Sequence, residues 1–284
     1  LDQATAPVRV RTASGSWTAI DASLKSDGKG GLSTRATTGA LTFSAGTAPA
    51  ADDGDHRDTD RAARAAGRAA LDATPPAGSS LVRFTTAGHT VVLDWPQRLP
   101  APRVAGVRAL YPEVLPGVDL LLTAKNDGFA QSWIVKSREA AANPAVRTLA
   151  LSVSSPTLTL KRNAAGGLTG TDASGTEVVT APTPVMWDSS GRKDSTGDEG
   201  AAPDRENLPG GLAALHALEG PEPGTHSALV DAELEGSTLT LRPDARLLDD
   251  PKTTFPVFID PSINGHTQAW TLAYKRYATS NFWN

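Results

Sequence analysis

Five carboxylates stand in or beside strand-like stretches: Asp94, Glu113, Asp119, Asp188 and Asp260. Two such groups flanking a glycosidic bond could divide acid and base work, one held protonated and the other ionised. No spacing in the sequence pairs them. Asp119 in Pro116-Gly117-Val118-Asp119, and Asp260 before Pro261, fall in turn-like contexts where a carboxylate caps backbone N–H groups. The five histidines, His56, His89, His216, His226 and His266, lack the close spacing of metal ligands on one helix face. His216 and His226 could converge with Asp231 only in three dimensions. Asp52, Asp53, Asp55, Asp58 and Asp60 invite comparison with a calcium loop, which supplies oxygens at alternate positions. Asp53 and Asp55 alternate, but Arg57 occupies the next such position. This stretch reads as a solvated acidic run facing Arg61, Arg64 and Arg68.

Nucleophilic chemistry fares no better. G-x-S-x-G, H-E-x-x-H and a Walker phosphate loop are all missing from the sequence. S-x-x-K occurs as Ser26-Asp27-Gly28-Lys29 and Ser190-Gly191-Arg192-Lys193. Both lie in polar, Gly-containing loops, without the apolar helix that would desolvate the lysine and lower its pKa. Arg61, Arg64 and Arg68 share a helical face, but their neighbours are alanines, and nucleic-acid sites add aromatic side chains for stacking. Of the six tryptophans, Trp17, Trp95, Trp133 and Trp187 lie in strand patterns. There, core packing outweighs a sugar-stacking platform as their role. No catalytic residue, metal ligand or cofactor site is assigned.

The elements that would position these residues are strands. Val8-Arg9-Val10-Arg11 and Trp17-Thr18-Ala19-Ile20-Asp21 alternate with a period of two, and Leu41-Thr42-Phe43 reads as another short strand. Residues 81–85 and 90–95 flank Ala87-Gly88 as a hairpin. Residues 118–124 and 129–136 flank Asn126-Asp127-Gly128, a stronger hairpin signal because Asn and Gly tolerate positive φ. Short strands follow at 149–153, 158–161, 168–172, 176–181 and 185–188, then at 227–233, 238–241 and 255–259. Leu239 and Leu241 share one strand face, and Val257 and Ile259 another. Strands every 8–12 residues predict an all-β, sandwich-like pair of antiparallel sheets with long polar insertions and little helix.

The predicted organisation has N-terminal strands at 1–43, an exposed Ala/Asp/Arg-rich insertion at 44–79 and a main β domain at 80–188. A polar linker occupies 189–206. Strands at 207–263 complete the β domain or form a small second one, with completion preferred because three short strands alone make a poor core. Residues 264–284 read as the cut start of a following β module. The chain has 284 residues, 26 Gly, 21 Pro and a formal net charge of −4, which favours turns and argues against a broad phosphate-binding surface. It contains no run of apolar residues long enough to span a membrane as a helix. With no cysteine, disulfides and thiolate chemistry are excluded. It begins at Leu1 and its one methionine is Met186, so a processed or excised chain is expected.

Five stretches together carry a resemblance: 8–21 (VRVRTASGSWTAID), 111–121 (YPEVLPGVDLL), 128–143 (GFAQSWIVKSREAAAN), 181–188 (APTPVMWD) and 239–261 (LTLRPDARLLDDPKTTFPVFIDP). In order and spacing they resemble the N-terminal region of large secreted actinomycete proteins, upstream of DNRLRE-type, LamG-like or RHS-repeat modules. Residues 270–284 look like the start of the next DNRLRE-type module. The resemblance implies export, a modular β-rich extracellular architecture and, among possible settings, the cell wall. It brings no catalytic residue to this chain. The expected function is therefore a non-catalytic structural or adhesion-type module. Its expected partners are other domains of the same polypeptide, with polysaccharide or cell-surface proteins as further ones, and nucleic acid is not expected. Two alternatives stand beside it: an extracellular glycan hydrolase using paired carboxylates among Asp94, Glu113 and Asp119, and the export or encapsulation prefix of an RHS-type toxin acting through protein contacts.

Overall fold

A computed structural model describes residues 8–12, 14–47, 80–190, 220–221 and 224–265, together with two strand fragments at 271–272 and 282–283. The predicted acidic run at 52–60, the arginines at 61, 64 and 68, and most of both polar tracts lie outside the described residues. β1 (Arg9–Arg11) and β2 (Trp17–Ala19) pair as a small hairpin. β3 (Asp21–Ser26), β4 (Gly31–Ala36), β5 (Ala40–Ser44), β6 (Val82–Thr86) and β7 (His89–Asp94) form an antiparallel meander. A second meander contains β8 (Arg103–Ala105), β9 (Arg108–Leu115), β10 (Val118–Ala124) and β11 (Gly128–Val135).

Two one-turn helices, α1 (Arg138–Ala141) and α2 (Pro144–Arg147), turn the chain at this point. Ser137 and Asn143 cap them, each side chain accepting a backbone N–H from the first turn. β12 (Leu149–Ser154) crosses to the first meander beside β7. β13 (Thr159–Arg162), β14 (Leu168–Thr171), β15 (Glu177–Ala181), β16 (Val185–Trp187) and β17 (Ser227–Leu229) belong with the second. β18 (Asp231–Glu235) and β19 (Thr238–Arg242) extend the first sheet from β12, and α3 (Ala245–Asp249), capped by Asp244, follows. β20 (Val257–Asp260) and β21 (Ser262–Gly265) both pair with β11, so late strands stand in both sheets. β22 (Thr271–Leu272) and β23 (Phe282–Trp283) pair with each other.

The result is an eight-stranded and an eleven-stranded antiparallel sheet sharing one core, an all-β sandwich-like fold. Aromatic rings tie the layers together. Phe129 on β11 meets Phe43 and Phe84 edge-on at 6.3 and 6.1 Å, and Trp133 lies 4.8 Å from Trp95 at the end of β7. Leu239 and Leu241 reach this core from one sheet, Val257 and Ile259 from the other.

Turn chemistry departs from expectation in one place. In the β6–β7 hairpin, Ala87 and Gly88 both have positive φ, 48° and 81°, the requirement of a type I′ connection. The β10–β11 hairpin is present, but among its loop residues none has positive φ. Gly128 is needed there for a different reason: a Cβ would stand 2.3 Å from the carbonyl oxygen of Ile263 on β21. The glycine admits a neighbouring strand; it does not bend the turn.

Candidate functional site

The densest polar constellation lies where the chain leaves β16. Asp188 follows Trp187 directly, and its carboxylate is fully shielded from solvent (0 % exposed), whereas His226 is 56 % exposed. Oδ1 accepts from the Ser190 N–H at 3.1 Å, the Ser190 hydroxyl at 2.5 Å and the His226 N–H at 3.0 Å. Oδ2 accepts from the Thr254 N–H at 3.1 Å and lies 3.0 Å from His226 Nδ1. With the carboxylate ionised, Nδ1 carries the proton. Burial pushes the Asp188 pKa up, but the hydrogen bonds from Ser190, Thr254 and His226 outweigh it, and the net shift is downward.

An Asp, a His and a Ser in contact invite comparison with an acyl-transfer triad, which the geometry does not match. In a triad the carboxylate orients one ring nitrogen and the serine meets the other. Here Ser190 Oγ lies 3.5 Å from the same Nδ1 that Asp188 holds, and it donates its proton to the carboxylate. The cluster instead clasps three segments: the end of β16, the entry to β17, and the turn before β20. Ser189 adds two more ties to that turn, N–H to Thr254 O at 2.9 Å and Oγ to Pro256 O at 2.7 Å.

The second constellation is Glu113, Asp119 and Lys136. Tyr111 pairs with Leu120 and Leu115 with Val118, so β9 carries extra residues over this stretch and bulges. Glu113 sits in the bulge at φ 51°. Asp119 accepts the Glu113 N–H at 2.8 Å, and Glu113 Oε2 accepts the Gly117 N–H at 2.7 Å. Lys136 Nζ lies 2.5 Å from Glu113 and 2.6 Å from Asp119. Burial alone would lower the lysine pKa and raise that of Glu113. Their hydrogen bonds reverse both shifts, so the ammonium is held charged and Glu113 ionised. The structure thus brings together two of the three carboxylates singled out in the sequence, with a cation between them; Asp94 belongs to the other sheet. A general acid needs the opposite environment, one that keeps a carboxyl protonated.

At Asp260 the net shift runs upward: burial raises its pKa, partly offset by the Ser262 hydroxyl at 3.1 Å and by nearby Lys125. Among the described residues no group of three or more His, Asp or Glu gathers as for a metal ion. Asp231 pairs with Arg162 and Arg242, and His226 with Asp188, so the trio with His216 does not form between its two described members. Ser26 accepts the Gly28 N–H and Asp27 those of Lys29 and Gly31, which makes the first S-x-x-K a plain turn. Ser190 serves the Asp188 clasp, and the rest of the second S-x-x-K lies outside the described residues. Trp95, Trp133 and Trp187 are buried and Trp17 is half-buried.

Sequence reasoning missed Lys136, Thr254 and Gln131. Gln131 faces the core from β11, and both polar atoms of its amide lack a partner, as do Trp95 Nε1 and Trp133 Nε1. The cavity bounded by Gln131, Leu168, Ala181, Leu239 and Leu241 has a free volume of about 10 Å³, room for a single water. The fold and these two clusters define the protein as an antiparallel β-sandwich braced by polar clasps. Comparison with protein-family models, with curated proteins and with solved structures gave no match.

Proposed function

We propose that this chain is a non-catalytic structural, adhesion-type module of a secreted multidomain protein, working through contacts with other domains of the same polypeptide. The observation that supports this reading is how the reactive side chains are used. The Asp188 carboxylate is saturated by backbone, hydroxyl and imidazole donors, and Glu113 and Asp119 share one lysine while capping backbone N–H groups. Groups engaged in this way hold loops in place and offer no free acid, base or nucleophile. Among the described residues Phe43, Phe84, Trp95, Tyr111, Phe129, Trp133, Trp187 and Phe258 are buried, whereas a sugar platform presents aromatic rings to solvent.

A combined binding and turnover screen against cell-wall and plant polysaccharides tests this. The module reading expects no release of reducing sugar from any substrate. Release that disappears in Asp119→Ala or Asp94→Ala, with the β-sheet circular dichroism unchanged, would overturn it. Retention on an insoluble glycan without release keeps the non-catalytic reading and adds the glycan as the adhesion partner.

A further inference from the structure

The outer face of the eight-stranded sheet is divided by charge. Its strands run in the order β18-β19-β12-β7-β6-β5-β4-β3. The half from β6 to β3 presents Arg83, Arg35 and Lys25, all exposed, with Asp21 3.8 Å from Arg35. The half from β7 to β18 presents Asp94, Asp231, Glu233 and Glu235. Arg242 on β19, and Arg162 from the other sheet, offset part of that negative charge. Among the described residues Lys25, Arg83 and Asp94 have no ion partner within the chain. Between the halves the side chains are short: Thr42, Thr85, Thr90, Val92 and Ser152 are half-buried, and the Thr85 and Thr90 hydroxyls bond across the midline at 2.8 Å. Such a centre lets a second sheet approach to the spacing of about 10 Å at which sheets pack.

We infer that this face binds a second copy of the chain, about a two-fold axis running along the strands between β6 and β7. That rotation lays the basic half of each copy on the acidic half of the other. The register supplies matching positions. Arg83 and Lys25 share one row, through Thr42 and Ser33, and stand three strands apart. Asp94 and Glu235 share another, through Ser152 and Thr238, and also stand three strands apart. Both separations are about 14 Å, so when Arg83 of one copy meets Asp94 of the other, Lys25 meets Glu235. Val92 is the register partner of Arg83 and Asp94 is the next outward residue on β7, so the rows lie about 7 Å apart along the strands. Long Arg and Lys side chains span that gap. An axis across the strands would set each half against itself, and a partner of one charge sign would be repelled by one of the halves.

Sedimentation velocity of the full chain over a wide range of concentration, at low and at high salt, tests this. The expected result is a reversible dimer that dissociates as salt screens the charges. Arg83→Asp and Asp94→Arg each set like charges together at two places and should weaken the dimer at least about tenfold. An equimolar mixture of the two variants restores both contacts in a heterodimer and should associate again. Should either variant lose its β-sheet circular dichroism, Lys25→Glu and Glu235→Lys repeat the exchange at the outer pair. A chain that stays monomeric at low salt, a dimer indifferent to the reversals, or a mixture that fails to associate would each overturn the inference.

Discussion

The two sheets share a core and differ on their outer faces. In the eight-stranded sheet, β12 and β19 bury every second residue, and β7 does so over Val91–Asp94. That is the pattern of an antiparallel sheet with one dry and one wet face. In the eleven-stranded sheet β11 buries all eight of its residues, and Leu110, Leu121 and Phe258 from strands of the same sheet join its Ile134 in an apolar cluster on the outer face. A strand dry on both sides has no neutral face, so a substitution that one sheet tolerates should damage the other.

The largest expected effect separates them directly. Ile134→Asp puts an unpaired charge into the buried apolar cluster on the outer face and should cost about 3 kcal/mol or more. Val92→Asp, on the wet face of β7, should cost under about 1 kcal/mol. Urea unfolding of the two variants measures both; equal losses would erase the distinction between the sheets.

Next in size is the clasp. Asp188→Ala leaves three part-buried backbone donors without their carboxylate and should cost roughly 1–3 kcal/mol. The pH dependence has a definite sign. The Asp188 pKa is lowered in the fold, so its stabilisation is present above the ordinary value of 3.8 and is lost as pH falls through the lowered one. Asp260 is the reverse case: burial raises its pKa, so its penalty is present at neutral pH and relieved as pH falls through the raised value. Urea midpoints between neutral and acid pH should show Asp188→Asn flattening the acid limb and Asp260→Asn gaining stability at pH 7.

Two glycines sharpen the contrast further. Gly128→Ala drives a methyl group into the Ile263 carbonyl inside the two-sided sheet and should cost about 1–3 kcal/mol, measured by thermal unfolding. Gly88→Ala has open space around it and carries only the strain of its positive φ, about 1 kcal/mol. The smallest effect concerns the shared core. Gln131→Met removes an amide with neither atom satisfied, and the midpoint of unfolding should stay the same or rise by about 1 kcal/mol.

Period-two alternation made most strands legible, including both hairpins around 87–88 and 126–128. β9 was not read as a strand because Pro112 and Glu113 interrupt its pattern; the bulge accommodates them with help from Asp119, a residue distant from neither but belonging to the next strand. β4 was missed because Gly31-Leu32-Ser33-Thr34-Arg35-Ala36 has a single large apolar residue. The Asp188 cluster could not be read at all. Its partners Ser190, His226 and Thr254 are spread over more than sixty positions, and only the pairing of β16 with β17 and β20 brings them together.

By itself the sequence determined the all-β class and which residues alternate inward, because side-chain direction along a strand is a local property of the backbone. It also excluded thiol chemistry through the lack of cysteine. The tertiary structure alone decided that Glu113 and Asp119 share Lys136, that Asp188 is a clasp, and that Trp187 faces away from the core holding Trp133. Those outcomes depend on which strands become neighbours, and hydrogen-bonded strand pairing is indifferent to distance along the chain.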